Sequence, residues 1–200
     1  KLKSETLNRE FDLFNAHNNY ESIQDFIDTI LVSITAGQGL RFNRAFLFLV
    51  DEDEQILKGI QAIGPSSGDE AGIIYKEFDS APRTLNEMIK NYKYKIGSDS
   101  VVNSVLKDVQ IKLSDGQNIL INALRSQKYI LINEDYPLIG DPSVFWLREL
   151  FRVHECAIIP MLWHGRSIGV IVVDNQVTQS KVTMHDIKGI TKYAEVATNA

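Results

Sequence analysis

The sequence predicts an α+β fold in which an antiparallel β-sheet carries helices on both of its faces. Two observations support this prediction. Predicted strands follow one another in pairs, and the strand–helix–strand alternation that favours a parallel sheet does not dominate the chain. The main strands are also apolar on both of their sides, which indicates that the sheet is covered from both directions.

A hairpin over residues 156–175 forms the centre of the predicted sheet. Its two runs are rich in β-branched residues and meet at His164-Gly165, a dipeptide suited to a tight turn. Side chains alternate between the two faces of a strand. One face of the second run should therefore carry Ile168, Val170 and Val172, and the other Gly169, Ile171 and Val173.

The chain before residue 64 is predicted to form two helices and two strands. Residues 1–17 show a helical apolar stripe. A second helix is predicted to start with Asn18 as its N-cap and Glu21 at the capping-box position, and to end near Gly37. Strands are predicted at 42–50 and 55–63, joined by the acidic turn 51–54.

The chain after residue 63 is predicted to begin with a long helical excursion, 64–127. Its predicted helical segments are 69–78, 83–92, 101–109 and 119–126. A strand at 129–132 and a helix at 143–151 follow. In that helix we expect Phe145, Leu147, Leu150 and Phe151 on the apolar face and Trp146 off it. The last helix should begin at Thr183, with Asp186 at the capping-box position.

Composition excludes several classes of protein. The 200 residues carry a net charge of −5 without a basic cluster, which argues against a nucleic-acid partner. No apolar run approaches the roughly 20 residues of a membrane span. The single cysteine, Cys156, forbids an internal disulfide and argues against a thiolate metal cluster, so we expect a cytoplasmic location and no metal site. Because the chain starts at Lys1 and ends within a helical pattern, we expect it to be part of a longer protein.

Three stretches of the chain resemble the GAF domain, a sensory module related to PAS domains. They are GLRFNRAFLFLVDE (39–52), LKGIQAIGP (57–65) and AIIPMLWHGRSIGVIVVDN (157–175). The resemblance covers nearly the whole chain and implies one GAF domain over 1–200. Its parts would be N-terminal helices at 1–37, a first hairpin at 42–63, the excursion at 64–127, the remaining strands and helix at 128–175, and a C-terminal signalling helix at 183–200.

The resemblance implies that the terminal helices pack together on one face of the sheet. The opposite face would hold a ligand pocket roofed by 64–127 and 129–151. Such domains precede bacterial sensor histidine kinases and diguanylate cyclases. We therefore expect a non-enzymatic input domain that precedes an output domain after Ala200. It would bind a small molecule, or relay a conformational change to that output domain through dimeric terminal helices. A dimerisation scaffold without a ligand is the alternative, and the sequence names no cofactor.

Five residues are candidate ligand contacts: Arg44, Tyr129, Trp146, Asp174 and Asn175. If the first and last strands are antiparallel neighbours, as the resemblance implies, Arg44 and Asp174 meet. They would then form either a structural ion pair that pins the strand ends or, with Asn175, the mouth of a binding site. The isolated aromatic residues fit either a pocket wall or the core.

Three other signals argue against specialised GAF chemistry. Related photoreceptors attach a bilin through a Cys-His pair, whereas Cys156 is followed by Ala157 and is expected to be a buried core thiol. His164 is expected to be a turn residue. The stretch after Asn175 lacks the pattern of cyclic-nucleotide-binding members. A methionine sulfoxide reductase of this family uses several cysteines, and one is present here.

Overall fold

The structure is a computed structural model that describes residues 23–36, 40–78, 84, 87–88, 100–136 and 142–199, with backbone alone at 23, 73–75, 77–78, 143, 193 and 195–199. The predicted helix at 1–17, the N-cap Asn18 with Glu21, the helix end near Gly37 and most of the predicted segment 83–92 lie outside these residues.

The described residues form helices and strands in the predicted order. In chain order they are α1 (Ile23–Thr35), β1 (Arg44–Asp51), β2 (Ile56–Ile63), α2 (Gly68–Phe78), α3 (Val101–Lys107), β3 (Gln110–Lys112), α4 (Ile119–Ser126), β4 (Ile130–Ile132), α5 (Pro142–Phe151), β5 (Cys156–Trp163), β6 (Arg166–Asp174) and α6 (Met184–Asn199). Strand β3 was not predicted, because the predicted helix at 101–109 ends at Lys107 and the chain then turns to pair with β2.

The strands form one antiparallel sheet in the order β3-β2-β1-β6-β5-β4. The β5–β6 hairpin is therefore internal, as predicted. His164 and Gly165 both adopt positive φ angles, 46° and 76°, which is the backbone of a two-residue hairpin turn whose twist matches the strands. His164 is thus a turn residue, as expected.

Helices cover both faces of the sheet, so the predicted α+β arrangement is confirmed. We call the face covered by α3, α4 and α5 the roof face. These helices bury alternate residues of β1, β5 and β6, namely Phe46, Phe48, Cys156, Ile158, Val170 and Val172. On the second face, called the terminal face, α1 and α6 bury the intervening residues: Ala45, Leu47, Ala157, Ile159, Met161, Ile171 and Val173.

Two β-bulges, one in β2 opposite β1 and one in β6 opposite β5, disturb the regular alternation of side chains. The register of β5 against β6 shifts between Met161 and Leu162, so that Met161 faces Gly169 while Leu162 faces Ser167. Ile168 is the extra residue, and it packs against the terminal face. The prediction that Ile168 shares a face with Val170 is therefore wrong, because a bulge inserts one residue and reverses the side-chain alternation.

The helix α5 turns a different side to the sheet from the one predicted. Phe145 is 64% exposed, whereas Val144, Leu147 and Phe151 are buried. Trp146 is half-buried and packs against the roof-face core. The predicted positions of Phe145 and Trp146 are thus exchanged. A ten-residue helix contains too few turns for its apolar pattern to fix the direction of the buried stripe.

The start of α6 follows the predicted capping box. The backbone N–H of Thr183 donates to Asp186 Oδ2 at 2.8 Å, and the N–H of Asp186 donates to Thr183 Oγ1 at 3.3 Å. These reciprocal bonds satisfy two N–H groups that helical bonding leaves free. They fix the point at which α6 leaves the loop and enters its packing with β5.

Candidate functional site

A buried ion pair joins the first and last central strands at the edge of the roof face. Arg44 opens β1, Asp174 ends β6, and the two residues are direct register partners. Arg44 Nε lies 3.0 Å from both carboxylate oxygens of Asp174, and Nη2 lies 2.8 Å from Oδ2. The two residues are 2% and 0% exposed. The predicted proximity of this pair is therefore confirmed.

The ion pair sits in surroundings that disfavour charge. Burial raises the pKa of the Asp174 carboxyl, while hydrogen bonds and the positive charge from Arg44 act in the opposite direction. Asp174 Oδ1 also accepts the backbone N–H of Gln176 at 3.0 Å. Both carboxylate oxygens are thus hydrogen-bonded, which is the condition under which a buried ion pair is tolerated.

Cys156 lies beside Asp174 and cannot serve as an exposed nucleophile. It is the register partner of Asp174 on β5 and is completely buried. Burial raises the pKa of this thiol, and the negative charge of Asp174 adds to the effect. Since the thiolate is the reactive form of cysteine, the site offers neither a thiol catalyst nor an attachment point. This agrees with the expectation that Cys156 is a core thiol.

A chain of aromatic rings connects the ion pair to helix α5. Arg44 Cζ lies 5.4 Å from the centroid of the Phe46 ring. The centroids of the Phe46 and Phe151 rings are 4.5 Å apart. The Trp146 ring meets the Phe151 ring edge-on, with a distance of 6.3 Å between centroids. Trp146 is therefore linked by packing to the buried pair. The arrangement puts a charged group and an aromatic wall on the same side of the sheet.

Arg148 is the residue of this region that the sequence did not single out. Its Nη2 donates to the backbone oxygen of His154 at 3.2 Å, whereas its Nε is buried and makes no hydrogen bond in the structure. Arg148 follows Val144 by four residues and precedes Phe151 by three, so it flanks the buried stripe of α5. That spacing is the signal that could have drawn attention to it.

These residues define one site, which we call the α5 cluster. It consists of Arg44, Phe46, Trp146, Arg148, Phe151, Cys156 and Asp174. It combines guanidinium donors, one ion-paired carboxylate and aromatic surface. In the described part of the chain, His, Cys, Asp and Glu side chains form no group of three or more that could hold a metal ion.

The structure places Tyr129 outside the α5 cluster and Asn175 beside it, next to Asp174 in the chain. Tyr129 is 44% exposed, and its hydroxyl donates to Met184 Sδ at 3.6 Å. It lines an open groove of about 490 Å³ between residues 127–129, β5 and α6. Asn175 accepts the N–H of Asn43 at 3.2 Å and donates to the Ser180 backbone at 3.1 Å. Asn175 thus holds the loop after β6.

Comparison with protein-family models identifies one family. The model of the GAF domain family matches residues 22–200. A crystallised methyl-accepting chemotaxis protein, residues 122 to 287, has a similar fold, with a TM-score of 0.56, 16% identity, and 89% of this chain and 88% of that chain covered. The GAF domain of an Acinetobacter phosphoenolpyruvate-protein phosphotransferase gives a TM-score of 0.52 at 12% identity, covering 98% and 90% of the two chains.

A GAF domain/HD domain protein from Geobacter sulfurreducens is also similar, with a TM-score of 0.53 at 12% identity and 89% and 92% of the two chains covered. No curated protein matches the chain. At these identities the structural similarity establishes the fold alone. None of the helices in the described part of the chain combines the length and apolar character that a membrane span requires.

Proposed function

Because the chain belongs to the GAF domain family, we propose that it is a regulatory input domain of a bacterial signal-transduction protein. In this proposal residues 1–200 form one domain, a small molecule binds at the α5 cluster, and helix α6 passes the change to an output domain after Ala200. The output would be a sensor histidine kinase or a diguanylate cyclase in the cytoplasm, and the domain would pair with a second copy through its terminal helices. The domain itself performs no catalysis.

One observation carries this proposal: strand β5 belongs to both cores. Cys156 and Ile158 face the α5 cluster side, whereas Ala157, Ile159 and Met161 face the terminal helices. Consecutive residues of one strand therefore connect the candidate site to α6. Since protein interiors are close-packed, a displacement of the roof-face side chains shifts the strand against which α6 rests.

Helix α6 is placed to receive such a displacement. Its buried residues Ile187, Ile190 and Ala194 belong to the terminal-face core together with Ile159 and Met161 of β5. Its preceding loop is held to β1 through Asn43 Oδ1, which accepts the N–H groups of Val177 and Thr178. A ligand that prefers one arrangement of the roof would bias the position of α6, and hence the populations of two signalling states.

The fold shared with a methyl-accepting chemotaxis protein supports a signalling role. The buried Cys156 supports a non-catalytic one, because thiol chemistry needs an accessible thiolate. The alternative is a dimerisation scaffold without a ligand. It is favoured by the filled roof-face core, in which Phe46, Leu106 and Leu120 have no exposed surface.

Native mass spectrometry of the purified protein, followed by the same measurement after denaturation, separates these functions. A mass that accompanies the folded dimer and is lost on denaturation supports the sensor. A dimer without additional mass supports the scaffold, and a monomer without additional mass contradicts the pairing of terminal helices on which both functions depend.

A pair of neighbouring variants locates the ligand. Trp146→Ala removes a ring of the α5 cluster, whereas Phe145→Ala shortens a side chain that is 64% exposed on the same helix. We expect the first variant to lose the bound mass and the second to retain it. Retention by both variants, with both folded, contradicts binding at the α5 cluster.

A further inference from the structure

We propose that the ligand of this domain is a small organic anion, a carboxylate or a phosphate, and that it binds to the Nε–H edge of Arg148. This inference rests on the function proposed above and adds the chemical class of the ligand and the residue that recognises it.

The first argument is the unsatisfied donor. Arg148 Nε is buried and has no acceptor in the structure, although Nη2 of the same side chain donates to His154 O. Buried polar atoms in native proteins nearly always have a partner, so a buried donor without an acceptor marks a position at which a ligand acceptor would gain a hydrogen bond. The bond to His154 holds the guanidinium in place. It uses one of the two N–H groups of Nη2, the nitrogen that shares an edge with Nε–H, and leaves Nε–H itself without an acceptor.

The second argument is that the neighbouring carboxylates are already engaged. Asp174 is bound by Arg44 through three short contacts and by the N–H of Gln176. Glu155 accepts the backbone N–H of Val182 at 2.6 Å. In the described part of the chain neither carboxylate hydrogen-bonds to Arg148, and Cys156 remains a neutral thiol because burial raises its pKa. Among the described residues, no anionic group therefore lies within hydrogen-bonding distance of Arg148.

The third argument is geometric. The Nε–H and one Nη–H of a guanidinium lie parallel on one edge, at the spacing of two oxygens of a carboxylate or phosphate. Phe151 follows Arg148 by three residues on α5, so the two side chains are neighbours on the helix surface, and Trp146 meets the Phe151 ring edge-on. The anion would thus bind at the charged edge of Arg148, with its apolar part against this aromatic surface. A metal cation or a cationic ligand would be repelled by the same guanidinium.

Thermal unfolding of the full chain in sodium phosphate, sodium succinate and sodium chloride at equal ionic strength tests the inference. At an anion concentration 100 times its Kd, we expect the Tm to rise by roughly 5–10 °C over the chloride value. A response to phosphate alone assigns a phosphate ligand, and a response to succinate alone assigns a carboxylate ligand. No response to either anion overturns the inference.

Two variants show whether Arg148 is responsible. Arg148→Gln should abolish the rise in Tm, whereas Arg152→Gln, four residues away and exposed, should retain it. An equal response of both variants overturns the inference. If Arg148→Gln does not fold, the wild-type protein is titrated with the active anion and followed by ¹⁵N NMR. The inference predicts that the Nε–H signal of Arg148 moves, and an unchanged signal contradicts binding at Arg148.

The native mass measurement distinguishes this inference from the function on which it rests. A bound neutral molecule that Arg148→Gln retains would overturn the anionic ligand and leave the sensory function intact. A protein without any bound mass and without a response to anions would overturn both.

Discussion

Removing one member of the buried Arg44–Asp174 ion pair is expected to destabilise the protein more than removing both members. Asp174→Leu leaves a guanidinium that is 2% exposed without its carboxylate, and Arg44→Met leaves a fully buried carboxylate without its guanidinium. Each single variant should lose about 3–5 kcal/mol of unfolding free energy, because an uncompensated charge remains inside the protein.

The double variant Arg44→Met/Asp174→Leu leaves no buried charge. Its main remaining loss is the acceptor for the Gln176 N–H, bound at 3.0 Å, which corresponds to about 1 kcal/mol. Apolar pairs of similar volume often replace buried ion pairs without a net loss. We therefore expect the double variant to lie within about 2 kcal/mol of the wild type.

Urea unfolding monitored by circular dichroism measures the four proteins of this cycle. A coupling energy of about 3 kcal/mol or more is expected between the two positions. Strictly additive losses, or single variants that each lose less than about 1 kcal/mol, would refute the reasoning, since they would mean that the pair is open to water.

Three further predictions follow from local geometry. In Gly59→Ala the added Cβ would lie 2.1 Å from the carbonyl oxygen of Leu106, so chemical denaturation should show an unfolding free energy lower by about 1–3 kcal/mol. The control is Gly72→Ala, whose added Cβ meets nothing within 4 Å and which should be neutral or stabilising. Thr183→Ala removes half of the capping box of α6 and should lower the unfolding free energy by about 1 kcal/mol. In the native state Cys156 should resist Ellman's reagent. Above a pH of about 8.5 the unfolding free energy of the wild type should fall by about 1.4 kcal/mol per pH unit, and that of Cys156→Ala should not show this fall.

The sign of the pH effect follows from proton binding. Burial raises the pKa of the Cys156 thiol, so the native protein keeps a proton that the unfolded chain releases above its own pKa. Ionisation then stabilises the unfolded state alone, and stability falls as the pH rises. A wild-type slope equal to that of Cys156→Ala contradicts the burial of this thiol. Equal stability of Gly59→Ala and Gly72→Ala contradicts the close approach of Leu106 to Gly59. A Thr183→Ala protein as stable as the wild type contradicts the capping box of α6.

The fold was predictable where a pattern is local and strong. The central hairpin shows itself through apolar runs on both sides of His164-Gly165, and the capping box shows itself through Thr183 and Asp186. Both signals depend on residues a few positions apart. Strand β3 has three residues and forms because β2 offers it an edge, so nothing within its own sequence reveals it.

The errors arise where tertiary contacts overrule a local period. Ile168 changes face because a bulge in β6 adds one residue, and the bulge depends on the register of the partner strand. Phe145 and Trp146 exchange places because α5 docks with Leu147 and Phe151 against the sheet. A ten-residue apolar pattern permits either rotation, and the packing of the whole roof face decides between them.

The candidate site was half predictable for the same reason. Arg44 and Asp174 stand at opposite ends of strands that the family resemblance pairs, so their contact could be expected. Arg148 could not, because an unsatisfied N–H is a property of packing and not of residue type. A buried network on the terminal face, in which Gln61 Nε2 donates to Asp28 Oδ1 at 2.6 Å, was also missed, since both residues look like surface residues in sequence.

Hydrogen–deuterium exchange of helix α6 tests most directly whether binding on the roof face reaches the terminal face. The wild-type protein would be compared in chloride and in whichever of phosphate or succinate raises its Tm. We expect the anion to slow exchange in α5, where Arg148 would bind it, and to change exchange in α6, because β5 contributes residues to both cores. Slower exchange in α5 with α6 unchanged would contradict coupling between the two faces.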